Sequence, residues 1–379
     1  MGARSTPPFR ADQVGSLRRP ESLMKARERL LGPHDLDHNF GPHDHAELRK
    51  LEDQAIREVV GLQEAVGLRS ITDGEFRRRI WWSEFLLSLE GVEGTYRGKE
   101  RFRDKSGHEV PSPQVDVTGK VRWKESVNVG PYSFLKSVTK QTPKVTLPAP
   151  QQLYFFASRD TISKQAYPDL EQLWSDIADA YGAELRALSE AGRRYVQMDE
   201  VVTCCLCDDK QRARLAGRGD DPEAFLDSYI RAVNRIVAGR PKGMTIAMHT
   251  CRGNYQGHWA AEGGYDPVAE RVFNEIAVAA FFLEYDTPRA GGFEPLRFFP
   301  KDKLLVLGLV STKTPELESR DLLRKRIDEA ARYVDLERLC LSPQCGFSSN
   351  YLGNPVTIDD ERRKLERVVE VAQSVWGGA

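Results

Sequence analysis

Five short apolar runs in this 379-residue chain lead directly into residues that can bind a metal or move a proton. Asp73-Gly74-Glu75 follows the run ending at Thr72, Asp199-Glu200 the run ending at Met198, and His249-Thr250-Cys251 the run ending at Met248. Glu284 closes the run that starts at Ala280, and Cys345-Gly346 comes just past Ser342. His249 and Cys251 are two apart, so on an extended strand end their side chains point the same way, and one imidazole with one thiolate is half of a zinc site. Glu284 and Cys345 complete a Cys₂HisGlu set whose softness favours zinc over magnesium or calcium. An isolated His-x-Cys pair is more often a hydrogen-bonded core histidine beside a small buried thiol. The recurrence of donors at the same end of successive runs is what points to a metal.

A free aliphatic thiol, with a pKa of roughly 8.5, is mostly protonated at neutral pH, and ligation to zinc deprotonates it while keeping it nucleophilic. A catalytic site also needs an exchangeable position, where a water or a weakly held protein ligand gives way to substrate. Glu75 and Asp199, at the same rim, can each accept a charge-assisted hydrogen bond from a cationic group. Read singly, each is equally a surface ion pair or a cap.

Reactive groups at one end of successive strands are the arrangement of a (β/α)₈ barrel. From about residue 45, helical patterns alternate with short β-rich runs, the mark of repeated βα units. Leu48, Ala55, Ile56, Val59 and Val60 form one helical stripe, Leu173, Ile177, Tyr181, Leu185 and Leu188 another that stops near Gly192, and a third begins at Asp221-Pro222. Further helices fit 319–334 and 358–376. Strands are expected at Arg69–Thr72, within 113–123, and at Lys144–Leu147, Tyr195–Met198, Met244–Met248, Ala280–Leu283, Leu304–Val310 and Leu339–Ser342. Residues 92–142, polar and rich in Gly, Lys and Arg, read as an inserted hairpin or long loop laid over the barrel. No linker divides the chain, so one catalytic domain is expected over 1–379, with an irregular, proline-bearing leading segment over 1–44.

The 55 basic and 56 acidic residues nearly cancel, and no like-charge block outlasts Arg77–Arg79, which excludes an electrostatic footprint for nucleic acid and favours a small neutral or zwitterionic partner. With no apolar leader and no run of eighteen apolar residues, neither a signal peptide nor a spanning helix is expected, and the cytoplasm is the expected compartment. Six cysteines are too few for a disulfide scaffold. Cys204, Cys205 and Cys207 read as rim thiols rather than a second soft-metal patch. Arg252 and Asn254 either bind an anionic substrate group or brace their loop. Trp81 and Trp82 either wall the pocket over a planar donor or pack a lid.

Together, Ala11-Asp12-Gln13-Val14-Gly15-Ser16, Asp73-Gly74-Glu75, Gln197-Met198-Asp199-Glu200, His249-Thr250-Cys251-Arg252-Gly253-Asn254, Phe282-Leu283-Glu284-Tyr285-Asp286 and Ser342-Pro343-Gln344-Cys345-Gly346 resemble the catalytic domain of cobalamin-independent methionine synthase and its shorter single-barrel relatives. The resemblance implies that His249, Cys251, Glu284 and Cys345 are zinc ligands. It implies that Glu75 and Asp199 hold a substrate ammonium and that Ser16 lies in the substrate-carboxylate loop. Two family features are missing. Where the synthase has a tryptophan that stacks on folate, this chain reads Thr146-Leu147-Pro148-Ala149-Pro150, and Val310-Ser311-Thr312-Lys313 occupies the stretch of its donor histidine. The expected function is zinc-dependent alkylation of a small-molecule thiol, foremost methyl transfer to homocysteine. The rivals are thiolate addition to an epoxide, as in epoxyalkane coenzyme M transferases, a non-enzymatic zinc-binding barrel, and a decarboxylase on a related barrel.

Overall fold

The computed structural model describes residues 2–32, 41–95, 101–103, 109–111 and 113–379. Its strands, in chain order, are β1 (Ser70–Ile71), β2 (Glu90–Thr95), β3 (Arg101–Arg103), β4 (Glu109–Pro111), β5 (Gln114–Arg122), β6 (Thr142–Pro143), β7 (Val145–Pro148), β8 (Tyr195–Glu200), β9 (Thr245–Thr250), β10 (Ala280–Glu284), β11 (Leu304–Val310) and β12 (Leu339–Pro343). β7 to β12 form one parallel ladder in sequence order. β6 runs into β7 through Lys144 and pairs in parallel with β1. At the far edge Ala11 bridges Leu341 in parallel, the Asp12 N–H donating to Leu341 O (3.0 Å) and the Leu341 N–H to Arg10 O (2.8 Å). Parallel strands in sequence order, most of them followed by outer helices, make the (β/α)₈ barrel that the alternation of patterns predicts.

The sequence explains which face each strand shows. Val196, Met198, Ile246, Met248, Phe281, Leu283, Leu305 and Leu307 belong to the large core shared with the helices, while their neighbours Tyr195, Ala247, Ala280, Phe282, Val306 and Cys340 form a separate cluster inside the barrel. A strand burying both faces reads as a continuous apolar run. Because side chains alternate, inward residues continue upward from this cluster as Gln197 and Asp199, His249, and Glu284. The period of two thus carries polar donors onto the inner face at the strand ends.

The helices are α1 (Glu21–Leu31), α2 (Ala46–Ala65), α3 (Ser83–Leu86), α4 (Val129–Val138), α5 (Gln151–Ala157), α6 (Leu170–Glu190), α7 (Val202–Cys205), α8 (Asp209–Gly217), α9 (Pro222–Ala238), α10 (Ala269–Glu275), α11 (Arg320–Ala330) and α12 (Ile358–Trp376). Side-chain caps start several of the long ones. Asp169 accepts from the Glu171 N–H, Asp221 precedes Pro222 and accepts from the Glu223 and Ala224 N–H groups, and Thr357 with Asp360 forms a capping box. No described helix is long and apolar enough to cross a membrane.

Two expectations about strands need correction. The run at 113–123 is not a barrel strand: β5 pairs antiparallel with β2 outside the ladder, forming the hairpin expected in this region. Its alternation gives the reason, since Val115, Val117 and Val121 are buried while Thr118, Lys120 and Arg122 are exposed, the pattern of a sheet with one solvated face. The missing barrel position is filled by residues 10–12, from the leading segment expected to be irregular. Hydropathy hides this edge because its inward residue is Asp12, paired inside the barrel with Lys144 (3.1 Å) and Tyr195 Oη (3.2 Å).

Candidate active site

Glu75 sits on a turn that the backbone adopts only under constraint. Gly74 and Glu75 both have left-handed φ, 66° and 60°, and a Cβ on Gly74 would lie 2.7 Å from the Phe76 ring. Left-handed backbone is unusual for a glutamate and persists only where surrounding contacts over-determine it. Here Thr146 Oγ1 donates to Glu75 Oε1 (2.5 Å), Arg78 stands 3.4 Å from the same oxygen, and Asp73 caps the turn through the Glu75 N–H. Glu75 Oε2, also buried, has no partner among the described residues. Burial raises the Glu75 carboxyl to about 7 although Arg78 opposes this, and the Asp199 charge raises it further.

Asp199, at the end of β8, accepts from Gln197 Nε2 (2.6 Å) and lies 3.0 Å from His249 Nδ1, directly across the β8–β9 ladder. Beyond His249, the chain brings Cys251 and Cys345 to it, so that one donor atom from each lies within 4.8 Å of the others, all three buried. Their protons are already shared out. Burial disfavours a charged His249, yet Asp199 and Cys345 raise it to about 10. Hydrogen bonds from Cys251 and His249 hold the Cys345 thiol well below the usual range, while the Cys345 thiolate and burial push Cys251 well above it. A soft, closely spaced His/Cys/Cys set that already stabilises a thiolate suits zinc, and three protein donors leave a fourth tetrahedral position open.

Glu75, Asp199, His249, Cys251, Cys345 and Ser16 line one cavity of about 1240 Å³, counting its open mouth. Ser16 is held at the floor because Gly346 lets the two loops touch: a Cβ there would fall 1.9 Å from Ser16 Oγ, and the Phe347 N–H donates to Ser16 O (2.8 Å). Trp81, Trp82, Phe155 and Phe156 line the same cavity.

A family description reading "Cobalamin-independent synthase, Catalytic domain" matches residues 35–374. The chain belongs to that family. Among relatives of this cobalamin-independent synthase domain, the uncharacterized protein YxjG of Bacillus subtilis (strain 168) is 40% identical over 381 residues, covering 98% of this chain and 96% of YxjG. A methionine synthase of Pyrococcus furiosus is 24% identical over 322 residues, covering 84% and 80%. A crystal structure of the putative vitamin-B12 independent methionine synthase from Listeria monocytogenes superposes with a TM-score of 0.74 at 32% identity, covering 99% of this chain and 100% of that one.

Two residues expected at the synthase-type site are placed differently. Glu284 falls outside the close donor group: its Oε1 accepts from Arg289 (2.6 Å) and its Oε2 from the Arg252 N–H (2.8 Å). Arg252 does not line the cavity. Its guanidinium donates to Gly263 O, Glu284 O and Ala290 O and to Tyr265 Oη, bracing the loops after β9 and β10. Asn254, by contrast, reaches the cavity and donates to Gly346 O (2.7 Å). Cys204 and Cys207 do not line the cavity, whereas Cys205 does. Sequence reasoning missed Thr146, Arg78 and Gln197, the residues that hold Glu75 and Asp199 in place. Their signal was faint, since each is an ordinary polar residue within a strand or a turn.

Proposed function

We propose that the chain is a zinc-dependent methyltransferase acting on homocysteine or a close amino-acid thiol, in methionine biosynthesis and in the cytoplasm, with residues 1–379 working as one catalytic unit. The observation that carries this reading is the His249, Cys251 and Cys345 trio sharing a cavity with two buried carboxylates, one of them holding an oxygen with no partner among the described residues. Membership in the cobalamin-independent synthase family supports it.

His249, Cys251 and Cys345 would hold the metal, with Glu284 as the displaceable fourth ligand, restrained by Arg289. Zinc, when bound there, supplies the positive charge that keeps the substrate's sulfur deprotonated at neutral pH. The protein's own residues do the rest. Asp199 fixes the His249 ring by its contact at Nδ1. Glu75 Oε2 and the free face of Asp199 receive the substrate ammonium, and Ser16, with the N–H groups of its loop, faces the carboxylate end. This three-point grip aligns the sulfur for in-line attack on a methyl group arriving from the open side of the cavity.

Elemental analysis of the purified protein tests the metal assignment. One zinc per chain is expected, and Cys251→Ser or Cys345→Ser should sharply weaken its retention. Glu284→Gln should weaken it less. Stoichiometric, tightly held zinc in both serine variants would refute the ligand set.

A further inference from the structure

We propose that the methyl donor is a compact onium compound, a sulfonium or quaternary ammonium ion, received by the angled aromatic wall of Trp81, Trp82, Phe155 and Phe156. This rests on the methyl-transfer reading above and names the second substrate that reading leaves open.

The wall's geometry is the first reason. Trp82 and Phe156 have ring centroids 4.9 Å apart with planes at 39°, and Phe155 and Phe156 lie 6.0 Å apart at 60°. Rings in contact at these angles offer no gap into which a flat heterocycle could insert. They present angled aromatic surface, and ring faces attract a compact cation through their quadrupoles. That surface already holds one cation on its flank, the Arg218 guanidinium, 5.4 Å from the Phe155 centroid. Arg218 is itself neutralised by Asp220 at 2.6 Å.

The charge of the cavity is the second. Glu75, Asp199 and Glu200, all buried, line the same space as Arg214 and Arg218, the latter already paired with Asp220. The substrate ammonium is received at Glu75 and Asp199, so the carboxylate left to face a cationic donor is Glu200.

The leaving group is the third. A methylated neutral amine must gain a proton to depart. Glu75 is committed to the substrate ammonium, and Arg214, Arg218 and the Tyr255 phenol, which also line the cavity, hold their protons at neutral pH. An onium donor needs none. The thiolate sulfur forms the new S–C bond with its own electron pair as the methyl carbon's bond to the donor's sulfur or nitrogen breaks, that pair staying on the departing atom. One anion and one cation become a neutral thioether and a neutral sulfide or tertiary amine, with no proton, oxidant or reductant required. Discharging both ions is favoured next to the apolar aromatic wall.

The test uses the zinc-loaded full chain with homocysteine and three trideuteromethyl-labelled donors: a sulfonium (S-methylmethionine), a quaternary ammonium (glycine betaine) and methyltetrahydrofolate. Label should reach methionine from one of the onium donors, and which one distinguishes sulfonium from ammonium. Binding gives a readout separate from turnover. Trimethylsulfonium or tetramethylammonium should quench tryptophan emission in the thiol-free protein, and Trp81→Leu or Phe156→Leu should weaken that binding by about tenfold or more, with zinc content and homocysteine binding retained. If homocysteine binds but label comes only from methylfolate or from no donor, or if the wall variants bind both cations like the wild type, the onium inference is overturned and the thiol site stands. If homocysteine does not bind the zinc-loaded chain, the methyl-transfer reading falls with it.

Discussion

At the scale of single residues, Glu75 is where backbone, electrostatics and substrate choice meet. A carboxyl raised to about 7 is largely neutral below that pH and charged above it, and only the charged form pairs fully with an ammonium. With an amino-acid thiol, kcat/KM should therefore rise with pH through about 7, and Glu75→Gln should abolish that limb. The same substitution should cost on the order of 1.5–3 kcal/mol, or about tenfold to a hundredfold in kcat/KM. A thiol lacking an amine should be little affected, and zinc content should not change. Equal losses for both thiols would show that Glu75 does not read the amine. The convergence of His249 and Cys251 was legible in the sequence because the strand period turns them the same way, and Cys345 because it follows another apolar run at the same rim. Glu284 and Arg252 were less so. Hydrogen bonds between side chains and loop carbonyls, such as those that draw Glu284 toward Arg289 and tie Arg252 to Gly263, leave no periodic trace.

At the scale of elements, the strands from β7 to β12 could be read from composition because parallel strands buried on both faces cannot hide their apolar runs. The seam at residues 10–12 could not. There the barrel interior is closed by a buried ion pair, Asp12 with Lys144, both without solvent exposure, and the Lys144 ammonium also rests 4.6 Å from the Phe282 ring centroid. Burial pulls the Lys144 pKa down, and Asp12 works against that fall. Removing one partner strands the other's charge. Lys144→Met should therefore cost about 3–5 kcal/mol in urea unfolding, and adding Asp12→Asn should recover part of the loss. A single variant as stable as the wild type would mean that the pair does not secure the seam. The hairpin of β2 and β5 was half legible: its polar composition set it apart from the barrel, but its apolar alternation resembled one more strand.

At the scale of the whole molecule, a nearly neutral chain arranges its strand ends so that donors separated by almost a hundred residues, His249 and Cys345, come together at one rim. The barrel keeps those donors buried while a wide cavity stays open above them, which is what a metal centre with an exchangeable position requires. The arrangement has a direct spectroscopic consequence. X-ray absorption at the zinc edge should find two sulfur scatterers at about 2.3 Å in the loaded protein, from Cys251 and Cys345, with the remaining shell nitrogen and oxygen. Adding homocysteine should raise the sulfur count to three as an oxygen scatterer is lost. A sulfur shell that stays at two under saturating homocysteine would contradict thiol activation at this site.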